Sequence, residues 1–285
     1  MAASLPPAER LSAPPDWALA RVPGLEPGAA PVVPVRLAGG SVNQVFRVDT
    51  PAGAFVLRLN GAAWRRPGVD RKRELALHSA AATAGVAPPI VAADPERDGL
   101  LITRFELGRL WQETDYADAA ALHRLGERLQ VLHALAPPAV AAFEPWSIAQ
   151  DYLGQIRSRG PAQAPTAEAL APLQRACHAI HASARTECIA HGDLAHSNLL
   201  EGRRLWLLDW EYAQRSDALM DVACVLAYYP GARRYSAELA AASGLAIHSA
   251  DDKRALAERV YVYRALSWLW HLARDEPATA PAGDW

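Results

Sequence analysis

Hydrophobic and polar positions change rhythm near residue 105. Before it, the dominant period is two. Val33, Val35 and Leu37 alternate with other residues and lead into Gly39-Gly40. Val45-Phe46-Arg47-Val48 then reads as a strand, Thr50-Pro51-Ala52-Gly53 as a turn, and Ala54-Phe55-Val56-Leu57-Arg58-Leu59 as its partner strand. The pattern predicts a β-hairpin meander. Residues 70–84 have helical composition and stop at Gly85 and Pro88-Pro89. Residues 100–105 form one more short apolar strand. Beyond them the period shifts to that of helices. An amphipathic helix over 117–135 is stopped by Pro137-Pro138, and further helices are predicted over 148–157, 166–184 and 251–274. Only Leu199-Leu200 and residues 205–208 still read as strands. Strands first and helices after predict an α+β chain in two lobes, a β-rich N-lobe over 31–104 and a mainly helical C-lobe over 105–285. Residues 1–30, rich in Pro and Ala, are expected to be a loose tail with one short helix near 17–21.

Composition narrows the function classes. A chain of 285 residues, about half of them hydrophobic, can bury a core in each of two lobes that share a cleft. The net charge of -2 gives no general pull toward nucleic acid or an anionic membrane. No run of eighteen uncharged apolar residues occurs, so no membrane span is expected, and residues 1–16 lack the pattern of a signal peptide. Cys177, Cys188 and Cys224 are odd in number and form no C-x-x-C pair, which fits a reducing cytoplasm. Cys177, His178 and His181 lack a fourth ligand and read as a helix surface rather than a metal site. Positive charge is supplied almost wholly by arginine, since Lys72 and Lys253 are the only lysines.

The densest chemistry lies in Ile189-Ala190-His191-Gly192-Asp193-Leu194-Ala195-His196-Ser197-Asn198-Leu199-Leu200, followed by Leu207-Leu208-Asp209-Trp210-Glu211. Phosphoryl transfer needs one carboxylate to orient an attacking hydroxyl and take its proton, and further oxygen ligands to hold Mg²⁺ against nucleotide phosphates. Asp193 suits the first role, Asn198 and Asp209 the second. One tight loop can present Asp193 and Asn198 together, and the following hairpin returns Asp209 beside them.

This block resembles the catalytic loop of the aminoglycoside phosphotransferase and choline kinase superfamily, which has the protein-kinase-like two-lobe fold. That family carries H-x-D-x-x-x-x-N followed by a hydrophobic strand and an Asp, and each of those positions is matched here. The resemblance implies an ATP- and Mg²⁺-dependent phosphotransferase acting on the hydroxyl of a small molecule, with Asp193 catalytic and His191 bracing the loop. It extends to the N-terminal half. The segment Gly39-Gly40-Ser41-Val42-Asn43 resembles the loop that covers the nucleotide, which makes Gly39, Gly40, Ser41 and Asn43 nucleotide-binding candidates. Arg58 stands where many relatives carry a phosphate-gripping lysine, as in choline- and thiamine-kinase-like proteins, and Glu74 matches the glutamate that pairs with it. Residues 101–108 resemble the inter-lobe hinge, and Asp221 an aspartate that steadies the catalytic loop.

The acceptor is less legible. The run Asp209-Trp210-Glu211-Tyr212-Ala213 resembles choline, ethanolamine and thiamine kinases, whose substrates are cationic alcohols. Cations are held by aromatic faces and carboxylates, so Glu211, Tyr212, Trp268 and Trp270 are substrate candidates. Trp268 and Trp270 are two apart and cannot share one helix face. An aromatic stripe on a late helix can equally be core. Residues 143–160, the expected pocket wall, contain only Glu144 and Asp151 as acids, too few for an aminoglycoside pocket. The alternatives are an aminoglycoside or sugar kinase and a catalytically inactive nucleotide-binding module. The intact Asp193, Asn198 and Asp209 speak against the last.

Overall fold

Period-two alternation in the N-terminal third builds a five-stranded antiparallel sheet. A computed structural model describes residues 13–25, 32–37, 43–61, 66–97, 99–160, 163–183 and 185–282. Strands β1 (Val35–Arg36), β2 (Asn43–Thr50), β3 (Gly53–Asn60), β4 (Ile90–Asp94) and β5 (Leu100–Arg104) lie in the order β1-β2-β3-β5-β4. The pairing Phe46↔Leu57 and Val48↔Phe55 puts these four side chains on one buried face with Leu59, Leu100 and Ile102. The alternate positions Val45, Val56 and Arg58 then face the inter-lobe cleft. A one-residue slip of register would exchange the two sets.

The outer face is covered by the segment read from sequence as part of a loose tail. Helix α1 (Asp16–Leu19) and the turn after it set Ala18 and Val22, both fully or almost fully buried, against the sheet. Arg97 lies 4.1 Å over the Trp17 ring. Residues 13–25 are therefore docked, because the sheet's outer apolar face requires a cover.

Helix α2 (Arg71–Thr83) begins at Asp70, whose side chain accepts from the Lys72 and Arg73 amides. Its Leu77 and Ala81 join the large core that continues through the C-lobe. That lobe consists of α3 (Ala119–His133), α4 (Pro145–Arg159), α5 (Ala167–His181), α6 (Leu219–Tyr228), α7 (Ser236–Ala242) and α8 (Ala250–Ala273). Helix α8 packs on α4, α5 and α6, and α3 packs on α7. Two small sheets carry the loops between the lobes. One is β6 (Arg109–Leu110), β8 (Leu199–Glu201) and β9 (Leu205–Leu207); the other pairs β7 (Glu187–Ala190) with β10 (Gln214–Asp217).

The sequence reading caught β8 and β9 but not β4, β6, β7 or β10. Gln214-Arg215-Ser216-Asp217 has no apolar alternation to mark it as a strand. It is held by its ladder to β7 and by side-chain pairs, Arg215 to Glu187 at 2.6 Å and Asp217 to Arg259 of α8 at 2.6 Å. Cys177, Cys188 and Cys224 are all free and buried. Among the described residues no helix is long and apolar enough to cross a membrane.

Candidate active site

Strand β7 delivers residues 191–198, and backbone anchors fix their path. Gly192 has φ of +78°, and an added Cβ would lie 2.5 Å from the Tyr212 carbonyl oxygen, so only glycine fits there. Asp221, in the first turn of α6, accepts from the His191 amide at 3.0 Å, the Gly192 amide at 2.9 Å and His133 Nε2 at 2.9 Å. Its carboxyl is held below the usual range: burial opposes ionisation, but the His133 and backbone donors outweigh it. His191 Nε2 lies 2.9 Å from the Leu208 carbonyl, while its Nδ1 accepts from the Asp193 amide at 3.3 Å. That pattern puts the ring proton on Nε2. Burial lowers the pKa of this ring and keeps it neutral, so His191 braces the loop and has no free nitrogen for proton transfer. Tyr116 Oη donates to the Leu194 carbonyl at 2.5 Å, and Cys224 Sγ accepts from the Leu194 amide at 3.4 Å. His133, Tyr116 and Cys224 had no signal in the sequence, since each is far along the chain from the loop it supports.

The loop brings Asp193 and Asn198 together. Asn198 Nδ2 donates to both the carbonyl and Oδ2 of Asp193 at 3.0 Å, which leaves Asn198 Oδ1 with only a 3.4 Å contact from Ser197. The Leu208 amide donates to the Asn198 carbonyl at 2.8 Å and so registers the next strand against the loop. Asp209 follows in the left-handed region, with φ of 54°. This turn carries its carboxylate toward the N-lobe, where Arg58 Nη1 lies 3.3 Å from Asp209 Oδ1 and 2.5 Å from Glu74 Oε1.

The charge network continues beyond the expected pair. Arg71 Nη1 meets Glu74 Oε2 at 2.7 Å and Glu211 Oε2 at 3.3 Å, and Arg71 Nη2 donates to Asn43 Oδ1 at 2.9 Å. Asn43 Nδ2 donates to Glu211 Oε2 at 3.1 Å, and Arg66 Nη2 lies 2.5 Å from Glu211 Oε1. Arg66 and Arg71 escaped the sequence reading. The signal for Arg71 was a cluster of cations, Arg71-Lys72-Arg73, in the first turn of a helix, where the dipole disfavours them. Arg58 is raised above its ordinary pKa; burial opposes its charge, and Glu74 and then Asp209 more than offset that. Glu74 is lowered in turn by Arg58 and Arg71 against its burial.

Both aspartates sit where burial and neighbouring carboxylates disfavour negative charge. Burial, then the charge of Glu211, pushes Asp193 up to about 6, with Asn198 and Arg66 opposing. Burial and Glu211 push Asp209 up to about 7, with Arg58 opposing. A divalent cation would offset this. The donor set fits one: a carboxylate and a side-chain amide oxygen suit Mg²⁺, which keeps waters and phosphate oxygens as its other ligands. Among the described residues no group of three or more His, Cys, Asp or Glu is arranged to hold a metal by itself.

Arg58, Asp193, Asn198, Asp209 and Glu211 all line one inter-lobe cleft of about 610 Å³. Val45, Val56 and Leu101 form its upper wall and Leu200 and Leu208 its lower one, an apolar slot suited to a flat ring. Gly39, Gly40 and Ser41 lie outside the described residues. Asn43 is spent on Arg71 and Glu211 rather than standing free.

The acceptor candidates fare differently. Both oxygens of Glu211 are engaged by Arg66, Arg71 and Asn43, so its charge partners belong to the protein itself. Trp268 and Trp270 are half-buried against the helical core and do not line the cleft, and Arg274 already covers Trp270 at 4.7 Å. Helix α8 packs on α4, α5 and α6, and both tryptophans lie partly buried at the edge of that core. Tyr212 is half-buried, with Arg66 5.5 Å over its ring. Tyrosines gather on the C-lobe side instead. Burial raises Tyr212 and Tyr263, and Tyr228, 42% exposed, meets Tyr263 edge to face at 6.1 Å.

Comparison with known proteins agrees with this geometry. No match is found among curated proteins. A choline/ethanolamine kinase family protein from Mesorhizobium loti is 25% identical, with a TM-score of 0.71 over 93% of this chain and 88% of that one. The choline kinase LicA from Streptococcus pneumoniae is 18% identical, with a TM-score of 0.69 over 86% of each chain. A putative aminoglycoside phosphotransferase from Ralstonia eutropha is 17% identical, with a TM-score of 0.61 over 91% of this chain and 87% of that one. These likenesses give the two-lobed protein-kinase-like fold. Residues 34–259 match the phosphotransferase enzyme family, a span that holds the cleft, the loop of Asp193 and the strand before Asp209, and the chain therefore belongs to that family.

Proposed function

We propose that this protein transfers the γ-phosphoryl group of ATP, with Mg²⁺, to the hydroxyl of a small cationic alcohol of the choline, ethanolamine or thiamine type. The observation that carries the reading is the convergence of Asp193, Asn198, Asp209 and Arg58 on one cleft that also holds an apolar slot between Val45, Val56 and Leu101 on one side and Leu200 and Leu208 on the other. Adenine fits the slot between Val56 and Leu208, and Arg58, tethered by Glu74, reaches the phosphates. Asn198 Oδ1 and Asp209 would hold Mg²⁺, whose chemistry is to neutralise phosphate charge. Asp193 orients the acceptor hydroxyl and takes its proton, a role to which a carboxyl raised to about 6 is better matched at neutral pH than an ordinary one. The free, buried cysteines fit the reducing cytoplasm.

The cationic acceptor is supported by the carboxylates of Asp193 and Asp209 on the cleft wall and by the aromatic Tyr212 that follows Glu211. It is supported further by the likeness to the choline/ethanolamine kinase family protein. A desolvated cation–π contact of about 2 kcal/mol would favour a cationic alcohol over a neutral one by a factor of tens. The test is a competition with radiolabelled ATP, in which choline, ethanolamine and thiamine are set against kanamycin and simple sugars at equal concentration. Preferred labelling of kanamycin or a sugar would overturn the acceptor and leave the phosphotransferase standing.

A further inference from the structure

Arg66 has no assigned task, yet it occupies a singular position. Among the described residues it is the cation that lines both the inter-lobe cleft and a second, open groove of about 630 Å³ formed with α4 at Gln150, Asp151 and Gln155. The other arginines near the aspartates are committed. Arg58 is shared between Glu74 and Asp209, and Arg71 is buried among Glu74, Glu211 and Asn43 and does not line the cleft. Arg104 donates to the Ala52 carbonyl and lies 5.1 Å over Phe55, at the hinge end. Arg66 has one acidic partner, Glu211, through Nη2; its Nε, like those of Arg58 and Arg71, is buried without a hydrogen-bond partner.

Charge spreads over the equatorial oxygens of a phosphoryl group in flight, and enzymes meet it with a donor set in place beforehand. We infer that Arg66 is that donor: it grips the phosphoryl group in transit from the nucleotide in the cleft to the acceptor hydroxyl, while Glu211 and the Tyr212 ring hold its guanidinium in position. The inference rests on the reading of the chain as an ATP-dependent kinase. In the step itself the acceptor oxygen bonds to phosphorus and its proton passes to Asp193. The bond from phosphorus to the β–γ bridging oxygen breaks, and its electron pair leaves with ADP. Arg66 stays protonated throughout and donates only hydrogen bonds.

A merely structural Arg66, serving only to tie residue 66 to Glu211, would affect all ligands alike. The experiment therefore compares two affinities in the full-length protein, for MgATP and for MgADP with aluminium fluoride, a mimic of the phosphoryl group in flight. In Arg66→Gln the mimic should bind at least about 100-fold more weakly, while MgATP changes by less than about threefold. Arg66→Lys keeps the charge and the Glu211 pair but lacks the fork, and should lose about tenfold for the mimic alone. It decides the matter if the glutamine variant fails to fold. Guanidinium ion at millimolar concentration should restore part of the mimic affinity to Arg66→Ala. Equal losses for both ligands, or an unchanged affinity for the mimic, would overturn the inference and leave the kinase reading intact. Failure of the wild-type protein to bind MgATP would remove both.

Discussion

At the residue scale, Asp193 shows how reactivity is set against stability. Its folded pKa of about 6 lies above the 3.8 of an unperturbed aspartate, so ionisation costs the folded state at every pH above that window. Asp193→Asn should lower turnover by about 10² to 10⁴ while MgATP still binds. The same variant should melt above the wild type at pH 7.5, because the amide removes a buried charge and still accepts from Asn198. This advantage should shrink as pH falls from 6 to 4 and vanish below that; calorimetry across the range, without Mg²⁺, gives the answer, and a variant less stable at pH 7.5 would contradict it. His78 has the opposite linkage. It is buried, lies 3.0 Å from the Pro88 carbonyl through Nε2 and stacks on Trp210. Burial lowers it to about 4. Its neutral form is favoured in the fold, so its contribution is complete above about pH 6.5 and is lost as pH falls toward 4. His78→Gln should flatten that part of the stability curve, and an unchanged slope would show that another group is responsible.

Elements are joined mainly by buried pairs whose partners lie far apart in sequence. Arg259 of α8 is fully buried and holds Asp217 of β10 through Nε at 3.0 Å and Nη2 at 2.6 Å, while Asp217 also accepts from the Leu219 amide at the start of α6. Breaking such a pair leaves one charge without compensation in the core. Asp217→Asn or Arg259→Met alone should cost about 3–5 kcal/mol in urea unfolding, whereas Asp217→Leu with Arg259→Met should cost less than either. Additive losses in the double variant would mean that packing, not charge, is the main loss. The helices on which this pair acts were legible: residues 251–274 were expected where Ala250–Ala273 is found. The strand β10 was not, because its residues are polar and its place comes from pairing with β7.

For the whole molecule, the salient feature is the line of alternating charge from Asp209 through Arg58, Glu74, Arg71 and Glu211 to Arg66, which ties the N-lobe sheet and α2 to the segment of Asp209–Glu211. Nucleotide and Mg²⁺ would complete the cleft between those parts. MgATP at about 100 times its Kd should add about 2.7 kcal/mol to stability, a rise in Tm of several degrees. EDTA should abolish most of that rise, and Asp209→Asn should resemble EDTA. Equal stabilisation by ATP without Mg²⁺ would count against Asn198 and Asp209 as metal ligands.

What the sequence determined by itself is local. His191, Asp193, Asn198 and Asp209 fall within nineteen positions. A loop that short, with glycine at 192 and apolar strands on either side, has few ways to fold, so its spacing already implies convergence. Period two marked the hairpin that carries Arg58, and helical composition or period marked α2, α3, α4, α5 and α8. Only the tertiary structure decided what covers each face. Periodicity marks a side as apolar or charged but does not name its partner. Trp268 and Trp270 therefore read equally well as cage or core until α4, α5 and α6 were found packed on α8. Ala18 and Val22 read as tail until the sheet needed a cover. Glu211 read as a substrate ligand until Arg66 and Arg71, 145 and 140 positions away, were found on its carboxylate. Charges attract without regard to sequence distance, and the fold alone brings them within reach.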